Sequence, residues 1–222
     1  RVMGQVSYYV WLTKQFTSPI NVAIPSGNFG NAYSAWFGRS NGLPISEIFC
    51  STNVNDVLRR FIDGGVLEPL VTQPSVAPSM DIQIPSSLER LIFDLSDEVK
   101  EFYVQLQSNS KAQLDKKSFD ALKSIFSSFT FPDDMITTLI TSLHTEFDII
   151  FDPHSVTSVQ MALDNDSSLS TVAVATASPE KFGNVISPLI NGFTESKIDQ
   201  KEQYLTLNTE NTVIIEAIKA FI

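Results

Sequence analysis

The sequence predicts an α/β fold, an open twisted parallel sheet with flanking helices, and two observations support this prediction. First, short apolar runs typical of buried strands alternate with helical patterns. Ile20–Ile24 precedes a helix at Ala32–Ser40, and Ile45–Cys50 precedes a helix that opens at about Thr52. Second, Thr171–Ala175 is apolar apart from its first residue, as expected of a parallel strand buried on both faces. Alternation of this kind implies parallel pairing with right-handed crossovers.

The first third of the chain carries clear helix signals. Residues 1–16 have a helical pattern, with Val2, Val6, Tyr9 and Val10 on one face. The pattern starts uncapped at Arg1, so we expect further residues upstream. Gly42 followed by Pro44 should end the second helix, and Gly64-Gly65 should end the third.

Residues 86–146 are predicted to form a helical insertion in the α/β alternation. Ser86 and Glu89 form a capping-box pattern before a long apolar stripe that runs to Leu106. A further helix is expected through Phe119–Phe126, and another at Pro132, where proline precedes two acidic residues.

The alternation then resumes toward the end of the chain. We expect a strand at Phe147–Phe151, a helix capped by Asp152, the strand at Thr171–Ala175 and a helix that starts at Ser178. A strand at Tyr204–Leu207 and a last helix from about Asn211 should follow. The predicted domains are an α/β core at 1–85 and 147–195, the helical insertion at 86–146 and a strand–helix extension at 196–222.

Composition excludes several classes of function. The 222 residues are 43% hydrophobic, which supports a sizeable core. A formal net charge of -10 opposes nonspecific binding to nucleic acid and to anionic membranes. No apolar run reaches the roughly 18 residues of a membrane span. The single cysteine, Cys50, is expected to be a small core residue, and it favours a reducing compartment, the cytoplasm.

The segment Ile24–Asn31, Ile-Pro-Ser-Gly-Asn-Phe-Gly-Asn, is a candidate anion site. It joins a predicted strand to a predicted helix, so unpaired N–H groups and the positive end of the helix dipole should meet there. Gly27 and Gly30 permit positive φ angles and close approach of a ligand. The dinucleotide and P-loop glycine motifs are not matched. On this segment alone, the alternative is that the glycines only turn the chain.

Thr176 is a second candidate, because it follows the predicted strand at Thr171–Ala175. Ligands of open α/β sheets bind at the carboxyl ends of the strands. The glycine segment also follows its own strand, so both elements could face one crevice.

Eight segments of the chain carry recognisable motifs: Arg1–Tyr9, Val22–Asn31, Gly42–Ile45, Ser51–Asp56, Arg60-Phe61, Ser79–Ile82 with Glu89-Arg90, Asp152–His154 and Thr176–Phe182. Together they resemble threonine synthase, a family of enzymes that use pyridoxal 5′-phosphate (PLP) and share the tryptophan-synthase-β fold. They occur in the family's order along nearly the whole chain, with Gly4 in place of the family's alanine and a poor match from about residue 95 to 146.

The resemblance implies a fold-type II PLP enzyme and particular residue roles. Gly27, Asn28, Phe29, Gly30 and Asn31 would bind the cofactor phosphate, largely through backbone N–H groups. Asn31 stands where the family often has aspartate. A sixth residue, Thr176, would face the pyridine nitrogen, where a neutral hydroxyl can bond without forcing a full charge on the ring.

The function implied is that of a lyase of threonine biosynthesis, which converts O-phosphohomoserine and water to threonine and phosphate. The chain would be the C-terminal half of such an enzyme, acting on a small phospho-amino acid. No lysine stands in the family's phenylalanine–lysine–aspartate context, so the Schiff-base lysine is expected upstream and no catalytic residue is assigned. The chain alone should then be inactive, and its partner would be the missing N-terminal half or a second copy.

Two other functions stay open at this point. One is a threonine-synthase-like phospholyase or another fold-type II enzyme, and the other is a noncatalytic module that binds a phosphate ligand.

Several polar residues favour structural roles over catalysis. His144, His154 and Cys50 are too few and too scattered for a zinc site, so no metal is expected. His154 is interpreted as a structural first-turn residue. Asn53 is interpreted as a helix-start residue, with a crevice-facing role as the alternative, and Asp81 as a turn residue.

Overall fold

A computed structural model of the chain describes residues 2–96 and 98–193. The predicted strand at Tyr204–Leu207, the last helix and the 196–222 extension lie outside the described residues, as does Arg1.

Within the described ranges, four parallel strands form the main sheet in the order β5-β2-β1-β6. A two-stranded antiparallel sheet pairs β3 with β4. The strands are β1 (Ile20–Pro25), β2 (Ile45–Thr52), β3 (Val66–Leu67), β4 (Ala112–Gln113), β5 (Phe126–Thr130) and β6 (Thr171–Ala173). The predicted parallel α/β class is therefore confirmed.

Helices flank this sheet and connect its strands. They are α1 (Val2–Thr13), α2 (Gly30–Ser40), α3 (Val57–Gly64), α4 (Leu88–Leu95), α5 (Val99–Asn109), α6 (Lys116–Lys123), α7 (Asp133–Phe147), α8 (Ser155–Leu163) and α9 (Gly183–Ile186), with 3₁₀ turns at Pro78–Met80 and Pro179–Phe182. None of them is long and apolar enough to cross a membrane.

The predicted stop signals of the early helices are confirmed. Gly42 follows the C-cap Asn41 with φ 95°, and Gly65 is the C-cap of α3 with φ 70°. Both are left-handed conformations that glycine adopts at little cost.

The predicted helical insertion at 86–146 contains a strand: the helix expected through Phe119–Phe126 ends at Lys123, and β5 pairs with β2 from Ile48↔Phe126 to Thr52↔Thr130. The apolar spacing that leads into Phe126 is helical, but pairing along the exposed edge of β2 decides its conformation. The insertion is thus tied into the main sheet, and the division of the chain into three domains stays a prediction.

The predicted long helix from Ser86 is two helices, α4 and α5, separated at Ser96, whose backbone is extended. The Ser96 hydroxyl oxygen accepts the N–H of Glu98 at 3.1 Å. A serine side chain that bonds the nearby backbone in this way competes with helix continuation.

The predicted capping box is also wrong. No side chain caps α4, and the N–H and hydroxyl of Ser86 both donate to Oδ1 of Asn28, each at 3.3 Å. The serine is engaged by the glycine segment instead of by its own helix.

The strand expected at Phe147–Phe151 is absent from this part of the described chain. Helix α7 continues to Phe147, and its C-cap, Asp148, adopts φ 55°. The segment 149–154 that follows leads directly into α8, which begins at Ser155 and has His154, not the expected Asp152, as its N-cap.

Candidate functional site

The segment Gly27–Asn31, called the glycine loop below, connects β1 to the start of α2. The sheet sets its position, because β1 is a central strand and the loop follows directly after the carboxyl end of that strand. Among the described residues, no hydrogen bond uses the backbone N–H of any of these five residues as donor. Five successive free donors at a helix start, with the helix dipole behind them, form a site suited to an anion.

Gly27 is required by close packing. A Cβ at this position would lie 2.5 Å from the carbonyl oxygen of Ser79 and 3.1 Å from Cα of Met80. The loop therefore lies directly against the 3₁₀ turn Pro78–Met80, and the absence of a side chain permits this contact.

The positive φ angle expected of the loop glycines is found at Phe29 instead. Phe29 has φ 65°, an uncommon conformation for a bulky residue, while Gly27 and Gly30 stay outside this region. The Phe29 ring is 2% exposed and packs on Phe126, with ring centroids 5.5 Å apart. Burial of the ring holds the strained backbone in place, so the main chain of Phe29, and not its side chain, is available to a ligand.

Asn31 is held by two tyrosines of α1. The hydroxyls of Tyr8 and Tyr9 both donate to its amide oxygen, Tyr9 at 2.7 Å. Burial raises the pKa of both phenols, so both are protonated donors at neutral pH. The amide N–H₂ of Asn31 makes no hydrogen bond to the described residues and stays available as a donor.

Thr176 lies in the segment that follows β6, the strand that neighbours β1. Strand β6 pairs in parallel with β1, and Val174 N–H extends the pairing by donating to the carbonyl of Ala23 at 2.9 Å. Both strands end at the same edge of the sheet. The backbone N–H of Thr176 donates to Oγ of Ser155 at 3.0 Å, while its hydroxyl makes no hydrogen bond to the described residues.

One cavity of about 970 Å³ brings these predicted residues together. The whole glycine loop and Thr176 line it, along with Ser79, Ser87, Arg90 and His154. Its size is at the upper end of the range for small-molecule sites. No Asp or Glu is among its described lining residues, although the chain carries a net charge of -10, and Arg90 adds a positive charge. The cavity therefore favours anions.

Asn53 does not face this cavity, and the crevice-facing alternative is wrong. Its side chain is fully buried, and its amide donates to Oγ of Ser75, to the carbonyl of Ala77 and to Oδ1 of Asp81. Asn55 also donates to Oδ1 of Asp81, at 2.9 Å. These bonds fix the 75–81 segment and thereby the turn that contacts Gly27.

Cys50 is a core residue, as predicted. It is fully buried in β2, and burial raises the pKa of its thiol to about 12. No cluster of three or more His, Cys, Asp or Glu side chains suited to a metal occurs in the described ranges.

The sequence prediction did not identify the roles of Asp152, His154 and Ser155. His154 is 2% exposed, yet it lines the cavity and bonds to Ser79. The one sequence signal for them is the Asp-Pro-His segment, which by itself predicts only a helix start.

No family model matches the sequence. Threonine synthase from Pseudomonas aeruginosa is 31% identical over 195 residues, which cover 84% of this chain and 42% of that protein. Threonine synthase from Saccharomyces cerevisiae is 28% identical over 228 residues, which cover 90% of this chain and 44% of that protein. The crystal structure of PLP-bound threonine synthase from Brucella melitensis superposes with a TM-score of 0.85 at 27% identity, covering 99% of this chain and 50% of that one.

The parallel sheet, the loop at its carboxyl edge and these neighbours place the chain in the fold-type II class of PLP-dependent enzymes. Within this class it belongs to the threonine synthase family. It spans slightly less than half the length of the curated relatives described above. The resemblance stated from the sequence is confirmed.

Proposed function

We propose that this chain binds PLP in the cavity and forms part of a threonine synthase, which converts O-phosphohomoserine and water to threonine and phosphate. The observation that carries the proposal is that Gly27–Asn31, whose five N–H groups make no hydrogen bond to the described residues, line the same cavity as Thr176, whose hydroxyl is also unbonded. When bound, PLP supplies an electron sink for negative charge on the substrate.

The residues present fit the phosphate of this cofactor. The N–H groups of Gly27–Asn31 would donate to its oxygens, and the dipole of α2 would favour its charge. The amide N–H₂ of Asn31 would add a neutral donor, which the tyrosine hydroxyls orient by holding its oxygen. The absence of acidic lining residues removes a source of repulsion.

Thr176 would hold the opposite end of the cofactor. Its backbone is fixed by the bond to Ser155, and its hydroxyl would bond the pyridine nitrogen. A hydroxyl leaves that nitrogen unprotonated more readily than a carboxylate would, which limits the positive charge placed on the ring.

We further propose that this chain alone does not catalyse the reaction. No lysine is among the described residues that line the cavity, so a covalent link to PLP would need a lysine from elsewhere. Met3 and Trp11 on α1 are 69% and 65% exposed, which is consistent with an apolar face that another part of the enzyme covers. The partner would be the remaining half of a threonine synthase or a second copy, and the location would be the cytoplasm.

The test is the affinity for PLP of the unaltered chain, of Gly30→Val and of Gly64→Val, measured by quenching of tryptophan fluorescence. A Cβ at Gly30 meets only Ser87 Oγ at 3.5 Å and Gln5 Oε1 at 3.6 Å, so the substitution should fold. Its branched side chain would crowd the N–H groups and weaken binding by at least about tenfold, the effect of losing one to two hydrogen bonds to a charged group.

Gly64→Val is the matched control, because Gly64 lies outside the cavity and a Cβ there meets nothing within 4 Å. It should bind PLP like the unaltered chain. Equal affinity of all three proteins would contradict the proposed site.

A further inference from the structure

One buried carboxylate connects two segments that line the cavity. The Asp152 side chain is fully buried and accepts three hydrogen bonds. The donors are the backbone N–H of His154 at 2.9 Å, Nδ1 of His154 at 2.8 Å and the hydroxyl of Ser155. Burial by itself would raise the pKa of this carboxyl, but the bonds from His154 and Ser155 outweigh burial and lower it, so the group stays ionised.

His154 extends the connection to the wall beside the glycine loop. The backbone N–H of Ser79 donates to Nε2 of His154 at 3.0 Å. Because Nε2 accepts this bond, the proton of the neutral ring lies on Nδ1, which donates to Asp152. The ring also meets Phe182 edge-on, with centroids 4.8 Å apart. Ser79 is the residue whose carbonyl abuts Gly27, so the imidazole supports the turn behind the loop.

Ser155 extends the connection to the other wall. Its hydroxyl donates to Asp152, and its oxygen accepts the N–H of Thr176 at 3.0 Å. The segment after β6 is thereby fixed to the start of α8.

We propose that Asp152, His154 and Ser155 are positioning residues that set the distance between the phosphate-binding loop and Thr176. The inference rests on the proposed binding of PLP. It assigns to these buried residues the role of keeping the two ends of the cofactor site at a fixed distance from each other. None of these three residues needs to contact the pyridine ring of PLP.

This arrangement predicts that the two ends of the site can be disturbed separately. Inorganic phosphate would contact only the glycine loop, whereas PLP would span from the loop to Thr176. Ser155→Ala removes the acceptor of the Thr176 N–H. It should lower the affinity for PLP by about three- to tenfold, the effect of one neutral hydrogen bond, and change the affinity for phosphate less than twofold. Ser118→Ala is the matched control, because Ser118 is a buried serine that donates to Asp115 at the start of α6, outside the cavity.

Two variants of His154 isolate its two nitrogens. His154→Asn keeps a donor toward Asp152 and removes the acceptor for the N–H of Ser79, so it should lower the affinity for both phosphate and PLP. His154→Gln keeps an oxygen near the position of Nε2 and should restore most of the phosphate affinity. A residue that only stabilises the fold would lower stability in both variants without this difference in binding.

The experiment combines calorimetric affinities for inorganic phosphate and PLP with amide hydrogen exchange of the ligand-free full chain. We expect faster exchange at Ser79 in His154→Asn, faster exchange at Thr176 in Ser155→Ala, and neither change in Ser118→Ala. Unchanged exchange at both amides, or faster exchange with no difference between phosphate and PLP affinity, would overturn the inference. Failure of the unaltered chain to bind either ligand would instead refute the proposed function, and the exchange rates would still decide whether the network holds the two segments.

Discussion

The α-carbon of Gly27 lies so close to the carbonyl oxygen of Ser79 that a Cβ would be 2.5 Å from that oxygen. The contact joins the glycine loop to a turn 52 positions further along the chain, and both line the cavity. Because the obstructing atom belongs to the backbone, a side chain at residue 27 cannot be accommodated by rotation of a neighbour.

Gly27→Ala should therefore destabilise the chain and weaken phosphate binding. Overpacking of this kind costs about 1–3 kcal/mol. Gly4→Ala is the matched control, since a Cβ at Gly4 meets nothing within 4 Å and alanine in a helix stabilises it by about 0.5–1 kcal/mol. Urea unfolding of the three proteins measures both effects. A Gly27→Ala protein as stable as Gly4→Ala would show that the contact with Ser79 is not as close as described.

Low pH should reduce the free energy of unfolding, because it removes the charge of Asp152. The pKa of this carboxyl is lower in the folded chain than its ordinary value, although burial opposes the bonds from His154 and Ser155. Its contribution is therefore complete above the ordinary carboxyl pKa and is lost as the pH falls through the lowered folded value. Asp152→Asn should cost about 1–3 kcal/mol at neutral pH, as expected for hydrogen bonds to a buried charged group.

The measurement is the free energy of unfolding at a series of pH values between neutrality and about 2, a span that includes the ordinary carboxyl pKa. The difference between the unaltered chain and Asp152→Asn should shrink as the pH falls. A difference that stays constant over this range would mean that Asp152 gains no stabilisation from its charge.

PLP bound by this chain should not become attached to a lysine. The described lining of the cavity holds no lysine, and Lys116, one of the lysines elsewhere, has an 88% exposed side chain. To react with the cofactor aldehyde at neutral pH, a lysine amine must be positioned beside that aldehyde and partly desolvated. Borohydride reduction followed by peptide mapping tests this prediction. Stoichiometric labelling of one lysine, with threonine formed from O-phosphohomoserine, would show that the chain carries its own catalytic residue.

The main strands and the loop could be predicted because their signals are local. Ile20–Ile24 and Ile45–Cys50 are apolar runs of strand length, and the glycines and serine between strand and helix mark the turn. Strand β5 could not be predicted, because its Phe-Ser-Ser-Phe-Thr sequence continues a helical spacing and only pairing with β2 makes it extended. Tertiary pairing overrides a weak local pattern in such cases.

The inner support of the site could not be predicted for a different reason. Ser79 and His154 are 75 positions apart, and Ser155 and Thr176 are 21 apart, so no spacing in the sequence indicates that they meet. The residue with positive φ in the loop could not be predicted either, because the sequence offers two glycines that permit this conformation. The buried ring of Phe29 instead holds that conformation against its local cost.

The most direct test of the central claim is titration of the ¹⁵N-labelled chain with PLP, followed residue by residue through the backbone amide signals. The account predicts that the amides of Gly27–Asn31 shift together with that of Thr176, at one common affinity. Inorganic phosphate should shift the loop amides alone. Movement of neither set, or of signals confined to other parts of the chain, would contradict the assignment of this cavity as the PLP site.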